Sequence, residues 1–193
     1  MSRIGLLPAS ARLSQPWKNG GGSTLEIAVY PPEAGLADFD WRISMASVAT
    51  PGRFSHFEDV DRILTVIEGQ LELCFNHGAE TVELDASSPP HVFPGDREVF
   101  GRPLAGSVVD LNLMLRRSRW SGTVERIAPS GSIALSSNCT IMLFLGGGHV
   151  RWRSEALSLQ PFDAIHIDGA IGEVIAWEGD DDIFVVNLFH ATA

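Results

Sequence analysis

The chain has little cysteine, few cations and no long apolar run, and each shortage argues against a class of protein. Its two cysteines, Cys74 and Cys139, lack the paired spacing of a zinc or dithiol motif and read as buried thiols. Lysine and arginine number 14 against 24 acidic residues, a formal charge of −10. A field of that sign repels phosphate backbones and anionic lipid, so no nucleic acid and no membrane is expected as a partner. No segment approaches the roughly 20 apolar residues of a membrane-spanning helix. The opening MSRIGLLPASARLSQPW lacks the apolar core of a secretory signal, so a cytoplasmic location is expected. His56, His77, His91, His149, His166 and His190 form no metal-spaced pair, and there is no Gly-x-Ser-x-Gly elbow.

Helical periodicity is missing too. Short runs rich in β-branched and aromatic residues recur between turn signals instead, and 19 glycines and 11 prolines supply the turns. The pattern predicts an all-β fold. Strands are expected at Thr24 to Tyr30, Asp40 to Val48, Ile63 to Ile67, Gln70 to Phe75, Glu80 to Leu84 and Val108 to Leu115. A second set is expected at Cys139 to Leu145, His149 to Trp152, Ala156 to Leu159, Ala164 to Ile167, Glu173 to Trp177 and Ile183 to Phe189. Glu68-Gly69 and Gly146-Gly147-Gly148 read as hairpin turns. Residues 118–137, richer in Ser, Gly and Pro, read as a join between two halves, 1–117 and 118–193. Two similar sets of strands fit two small sandwiches or barrels, an internal duplication of architecture; one large β-sandwich is the alternative.

Alternate residues of a strand share a face. Leu25, Ile27 and Val29 oppose Thr24, Glu26 and Ala28; Trp41, Ile43 and Met45 oppose Arg42, Ser44 and Ala46; Val109, Leu111, Leu113 and Leu115 oppose Asp110, Asn112 and Met114. The polar residues Glu26, Arg42, Ser44, Asp110 and Asn112 have small or apolar neighbours on their own faces. A partly enclosed cavity with a few convergent polar groups explains this better than a solvated sheet. Upstream, Pro16-Trp17-Lys18-Asn19 and three glycines run into the first strand, placing Lys18 and Asn19 beside whatever that loop covers.

The stretch GRFSHFEDVDRILTVIEG from Gly52 to Gly69 resembles the first cupin motif, and PLAGSVVDLN from Pro103 to Asn112 resembles the second. The metal ligands are not kept: Arg62 stands at the family's Glu position, and Val109 and Asp110 stand where its second-motif His belongs. A permanent cation there is hostile to a divalent ion, so no metal and no cofactor is expected. More specifically, PWKNGGGSTLEI, DWRISMASV, GRFSHFEDVDRIL and the run from FPGD through VVDLNLMLRR are similar to the HutD/Ves family of bicupin-like proteins.

That resemblance implies a double cupin of two barrel or jelly-roll halves, a homodimer, and a ligand pocket in the amino-terminal half, 1–117. It also implies a regulatory role in histidine utilisation, through a small anionic metabolite such as formate, formylglutamate or urocanate. Residue chemistry supplies the candidate contacts: Arg62 and Arg42 as planar donor forks, Asn112, Asn19 and Lys18 as further donors, Ser44 and Ser55 as donors or acceptors, and Glu26 and Asp110 orienting the cations or accepting a ligand N–H. The alternative is a metal-independent cupin enzyme with Glu26 or Asp110 as general acid or base.

Overall fold

The computed structural model describes residues 2–17 and 20–191 and is all-β, with strands throughout and two short 3-10 turns. Two compact units form, residues 13–119 and residues 1–12 together with 120–193. The first strand, Arg3–Leu7, pairs with Ala164–Asp168 of the second unit, although the sequence reading put it in the first half. Its short run, RIGLL, is amphipathic only weakly and carries no sign of its distant partner.

In the first unit a six-stranded sheet runs in the order Ser14–Pro16, Gly22–Tyr30, Trp41–Val48, Val108–Arg116, Val60–Glu68, His91–Pro94. A four-stranded sheet runs Gly52–Arg53, Val99–Pro103, Gln70–Phe75, Glu80–Asp85. Leu64, Val66, Phe93 and Val108 of the larger sheet pack against Leu71, Leu73, Phe75 and Val99 of the smaller one. Each such side chain contributes roughly 1.5–3 kcal/mol by leaving water, which makes this layer the unit's main stabilising element.

The second unit repeats the plan. Its five-stranded sheet runs Arg3–Leu7, Ala164–Asp168, Cys139–Phe144, Ile183–His190, Trp120–Ile127, and its four-stranded sheet Ser130–Ala134, Val174–Gly179, Gly148–Trp152, Glu155–Leu159. Matched in chain order, eight strands occupy the same places in both units. The duplication of architecture is therefore present in the topology.

Several local expectations are corrected. Gly69 does not close a hairpin: the strands on either side lie in different sheets, and the chain crosses between sheets there. The same holds for Gly146 to Gly148. The chain passes between the two units at Arg119–Trp120, within residues 118–137, but most of that segment is not a loop: Trp120–Ile127 and Ser130–Ala134 are edge strands, whose sparse inward residues weaken their pattern. Cys74 is only partly buried, since Leu73 and Phe75 take the core side and Cys74 turns outward beside Glu72. Arg116, Arg117 and Arg119, around the end of the strand Val108–Arg116, are tied to neighbouring segments. Arg116 donates to the carbonyls of Ala37 and Glu58, Arg117 binds Asp61 and Asp96, and Arg119 binds Asp40.

The crossing at Gly69 demands glycine. Its φ is +87°, and a Cβ would lie 2.8 Å from the Ser107 carbonyl oxygen. Gly69→Ala is expected to destabilise the protein by about 1–3 kcal/mol, read as a lower urea midpoint at unchanged slope.

Candidate functional site

The face of the six-stranded sheet that carries Val48, Leu64, Val66 and Val108 into the core also carries Arg42, Ser44, Arg62, Asp110 and Asn112, by simple alternation along three adjacent strands. These five residues are buried, each 2–6% exposed, and line a cavity of about 640 Å³. Cross-strand register sets them in rows. Arg42, Met114 and Arg62 form one, Ser44, Asn112 and Leu64 the next, and Ala46, Asp110 and Val66 the third.

Two bulges tune the rows. Ile67 is the extra residue between the pairs Asp110–Val66 and Val109–Glu68, and it keeps Asp110 opposite a core position. Ile27 is extra between Glu26–Ser44 and Ala28–Ile43. Glu26 therefore shares the face of Ser44, while Ala28, expected beside Glu26, turns to the other side. The face opposite the cavity is buried as well, at Trp41, Ile43, Leu111 and Leu113.

The hydrogen bonding is uneven. Arg42 Nε donates to Glu26 Oε2 at 2.7 Å, and Arg42 Nη1 reaches Ser44 Oγ at 3.4 Å. Arg62 Nε donates to Asn112 Oδ1 at 3.3 Å, and its guanidinium lies 4.9 Å from the Phe54 ring centroid and 5.2 Å from that of Phe93. Among the described residues the Nη groups of Arg62 have no hydrogen-bond acceptor, and Asp110 Oδ2 has no donor. Burial pushes the Asp110 carboxyl up to about 7 against the opposing pull of Arg62. Burial likewise pulls Arg62 down to about 10, against the attraction of Asp110 and with a smaller push from Arg42.

The structure thus brings together Arg42, Ser44, Arg62, Asp110 and Asn112, with Ser55 exposed at the rim and Glu26 held one contact back through Arg42. Lys18 and Asn19 lie outside the described residues. The sequence reading missed Gln15, Trp17, Leu36, Arg53, Phe54 and Phe57, which complete the cavity wall. Most sit on short strands or loops with no periodic signal. Trp17 could have been found, because it opens the glycine-rich segment; its Nε1 donates to Thr24 Oγ1 at 2.8 Å.

Cupin sites commonly hold a metal, so the donor set needs testing against one. Among the described residues the cavity wall offers one carboxylate, Asp110, no imidazole, and guanidinium groups from Arg42, Arg53 and Arg62. Three cations and one acid do not fit a divalent ion, which needs at least three convergent anionic or neutral ligands.

A separate cluster lies in the second unit, where the sequence reading saw only scattered histidines. His166 Nε2 is 3.0 Å from Cys139 Sγ and 3.3 Å from Asp168 Oδ1. Cys139 faces Asp168 directly across the strand pair. Burial, and after it the nearby Asp168 charge, push the Cys139 thiol well above its ordinary value, so it is a neutral hydrogen-bonding group at pH 7. A buried thiol held neutral in this way is not an activated nucleophile.

The HutD family model matches residues 9–185. The chain belongs to the HutD family. Among HutD relatives, an uncharacterized 21.2 kDa protein in the hutC 3′ region of Pseudomonas putida is 31% identical over 172 residues, covering 88% of this chain and 89% of that one. Protein Ves of Citrobacter koseri is 36% identical over 132 residues, 68% of this chain and 67% of its own. The structure of HutD from Pseudomonas fluorescens SBW25, described for a formate condition, superposes with a TM-score of 0.83 at 28% identity, covering 98% of this chain and 100% of that one. A formate complex of Lactobacillus farciminis oxalate decarboxylase has a TM-score of 0.66 at 10% identity over 97% of this chain and 86% of its own, a likeness of cupin fold alone. The double cupin architecture and the link to the histidine-utilisation locus both follow from these matches. Among the described residues no helix is long and apolar enough to cross a membrane.

Proposed function

We propose that the cavity of the first unit binds a small carboxylate metabolite and that the protein is a regulatory binder in histidine utilisation. The observation that carries this is Arg62: a buried guanidinium lining the cavity with Nη groups that no described residue accepts from. A planar fork of this kind matches a carboxylate in two parallel hydrogen bonds. Arg42 and Ser44 add donors one row away, and Glu26 fixes Arg42. The HutD structure from P. fluorescens, named for its formate condition, supports testing that anion first.

A thermal-shift series with formate, formylglutamate, urocanate and histidine is expected to raise the melting temperature with at least one of them in a saturable way. If no carboxylate moves it, the binding reading fails. A second reading, a metal-independent enzyme, draws on the buried Asp110 with its pKa near 7, a value suited to proton transfer. Turnover of a bound compound, lost in Asp110→Asn or Glu26→Gln, selects that reading over simple binding.

A further inference from the structure

We infer that the ligand of this cavity carries, beside its carboxylate, an N–H donor that Asp110 accepts. The inference rests on the carboxylate reading above and narrows the ligand class. It comes from what each polar group has left over. Asn112 spends its carbonyl oxygen on Arg62 Nε, and Glu26 spends Oε2 on Arg42. The Nη groups of Arg62 remain as donors, and Asp110 Oδ2 remains as a buried acceptor lining the same cavity. Asp110 lies two rows along the sheet from Arg62, with Asn112 in the row between. Arg62 hydrogen-bonds Asn112 in that intervening row, and its charge and that of Asp110 are close enough to act on each other.

A ligand with acceptors alone answers only half of this arrangement. Docked on Arg62 at a pH where Asp110 is ionised, its carboxylate sets a second negative charge near Asp110 and leaves Oδ2 without a donor, and both effects weaken binding. A ligand with an N–H displaced from its carboxylate satisfies the cation and the acid together. Trp17, Leu36, Phe54 and Phe57 add an apolar, largely aromatic stretch to the wall, which suits a flat ring or amide between the polar groups. The cavity, at about 640 Å³, has room for such a body well beyond a one-carbon acid. Discrimination by a buried polar group left unpaired is large, so a matched pair of ligands reads it directly.

Two pairs differ only in N–H against ring oxygen: pyrrole-2-carboxylate with 2-furoate, and pyrrol-2-ylacetate with furan-2-ylacetate. Calorimetric titration of the full chain at pH 8 is expected to show at least tenfold tighter binding of the N–H member in one pair or both. In Asp110→Leu the preference is expected to fall within twofold while binding to Arg62 persists. Equal affinities within each pair in the wild type overturn the inference and leave the carboxylate reading standing. Binding by no member of either pair, nor by formate, overturns both. A tenfold preference that survives Asp110→Leu removes Asp110 from the assignment. If that variant fails to fold, the wild-type pairs decide the matter alone.

Discussion

Arg62→Met is expected to abolish carboxylate binding while leaving the protein at least as stable as before. Most substitutions of a fully buried residue destabilise a fold, so the sign of this expectation is informative. Burial lowers the Arg62 pKa from its ordinary value to about 10, so the folded state disfavours the charged form. A base with a depressed folded pKa costs stability at every pH below that value, and the cost fades only as pH rises above about 10 toward the ordinary guanidinium range. At pH 7 it is on the order of 3 kcal/mol. Methionine fills much of the same volume without the charge, and exchanging buried ions for apolar groups is often neutral or stabilising. Lost ring contacts with Phe54 and Phe93, and an Asn112 oxygen left without its donor, take back part of the gain. Urea denaturation at pH 7 is expected to give an equal or higher midpoint, with loss of at least 100-fold in carboxylate affinity. A variant that melts much lower yet binds normally would place Arg62 in the structure alone.

The second large effect concerns Asp110 and pH. Its folded pKa, raised from 3.8 to about 7, means that the native state holds the proton more tightly than the unfolded chain does. The contribution of Asp110 to stability is therefore greatest below about pH 4, falls as pH rises to about 7, and is flat above that. The full swing is on the order of 4 kcal/mol as an upper bound. Whole-protein stability hides this, because Glu80, Asp85, Asp96 and Glu173 have lowered pKa values and act in the opposite direction as acid is added. The difference between wild type and Asp110→Asn isolates it. The variant is expected to be the more stable at pH 8, with the gap closing toward pH 4.5. A gap that is constant across this range contradicts the assignment of a proton to buried Asp110.

Much of the site was legible before any coordinates, and for a definite reason. Arg42, Ser44, Asp110 and Asn112 interrupt strands whose opposite faces are continuously apolar, and alternation alone put them on shared faces. Arg62 was found by its offset from Gly69 within a cupin-like cadence, and the structure sets it in register with Met114 beside Arg42. What was not legible depends on contacts remote in sequence. Leu36, Phe54 and Phe57 reach the cavity from loops, where no period marks a buried side. The bulges at Ile27 and Ile67 shift facing by one residue and are visible only once a partner strand is known.

The same limit shaped the fold. Interior strands such as Val108–Arg116 and Ile183–His190 are marked by their largely apolar content. Edge strands such as Trp120–Ile127 did not, since one paired side and one buried face leave few constrained positions. Gly69 was noticed as special, but a positive φ serves a hairpin and a sheet-to-sheet crossing equally well; the Ser107 carbonyl distinguishes the two.

The central claim is that the Nη groups of Arg62, which no described residue accepts from, are the anchor for a small carboxylate. A crystal structure of the protein soaked with formate or formylglutamate tests it most directly. The account predicts carboxylate oxygens about 2.7–2.9 Å from the Arg62 Nη atoms, the distance of a charge-assisted hydrogen bond. A ligand bound at saturating concentration elsewhere, with the Arg62 Nη groups left uncontacted, contradicts it.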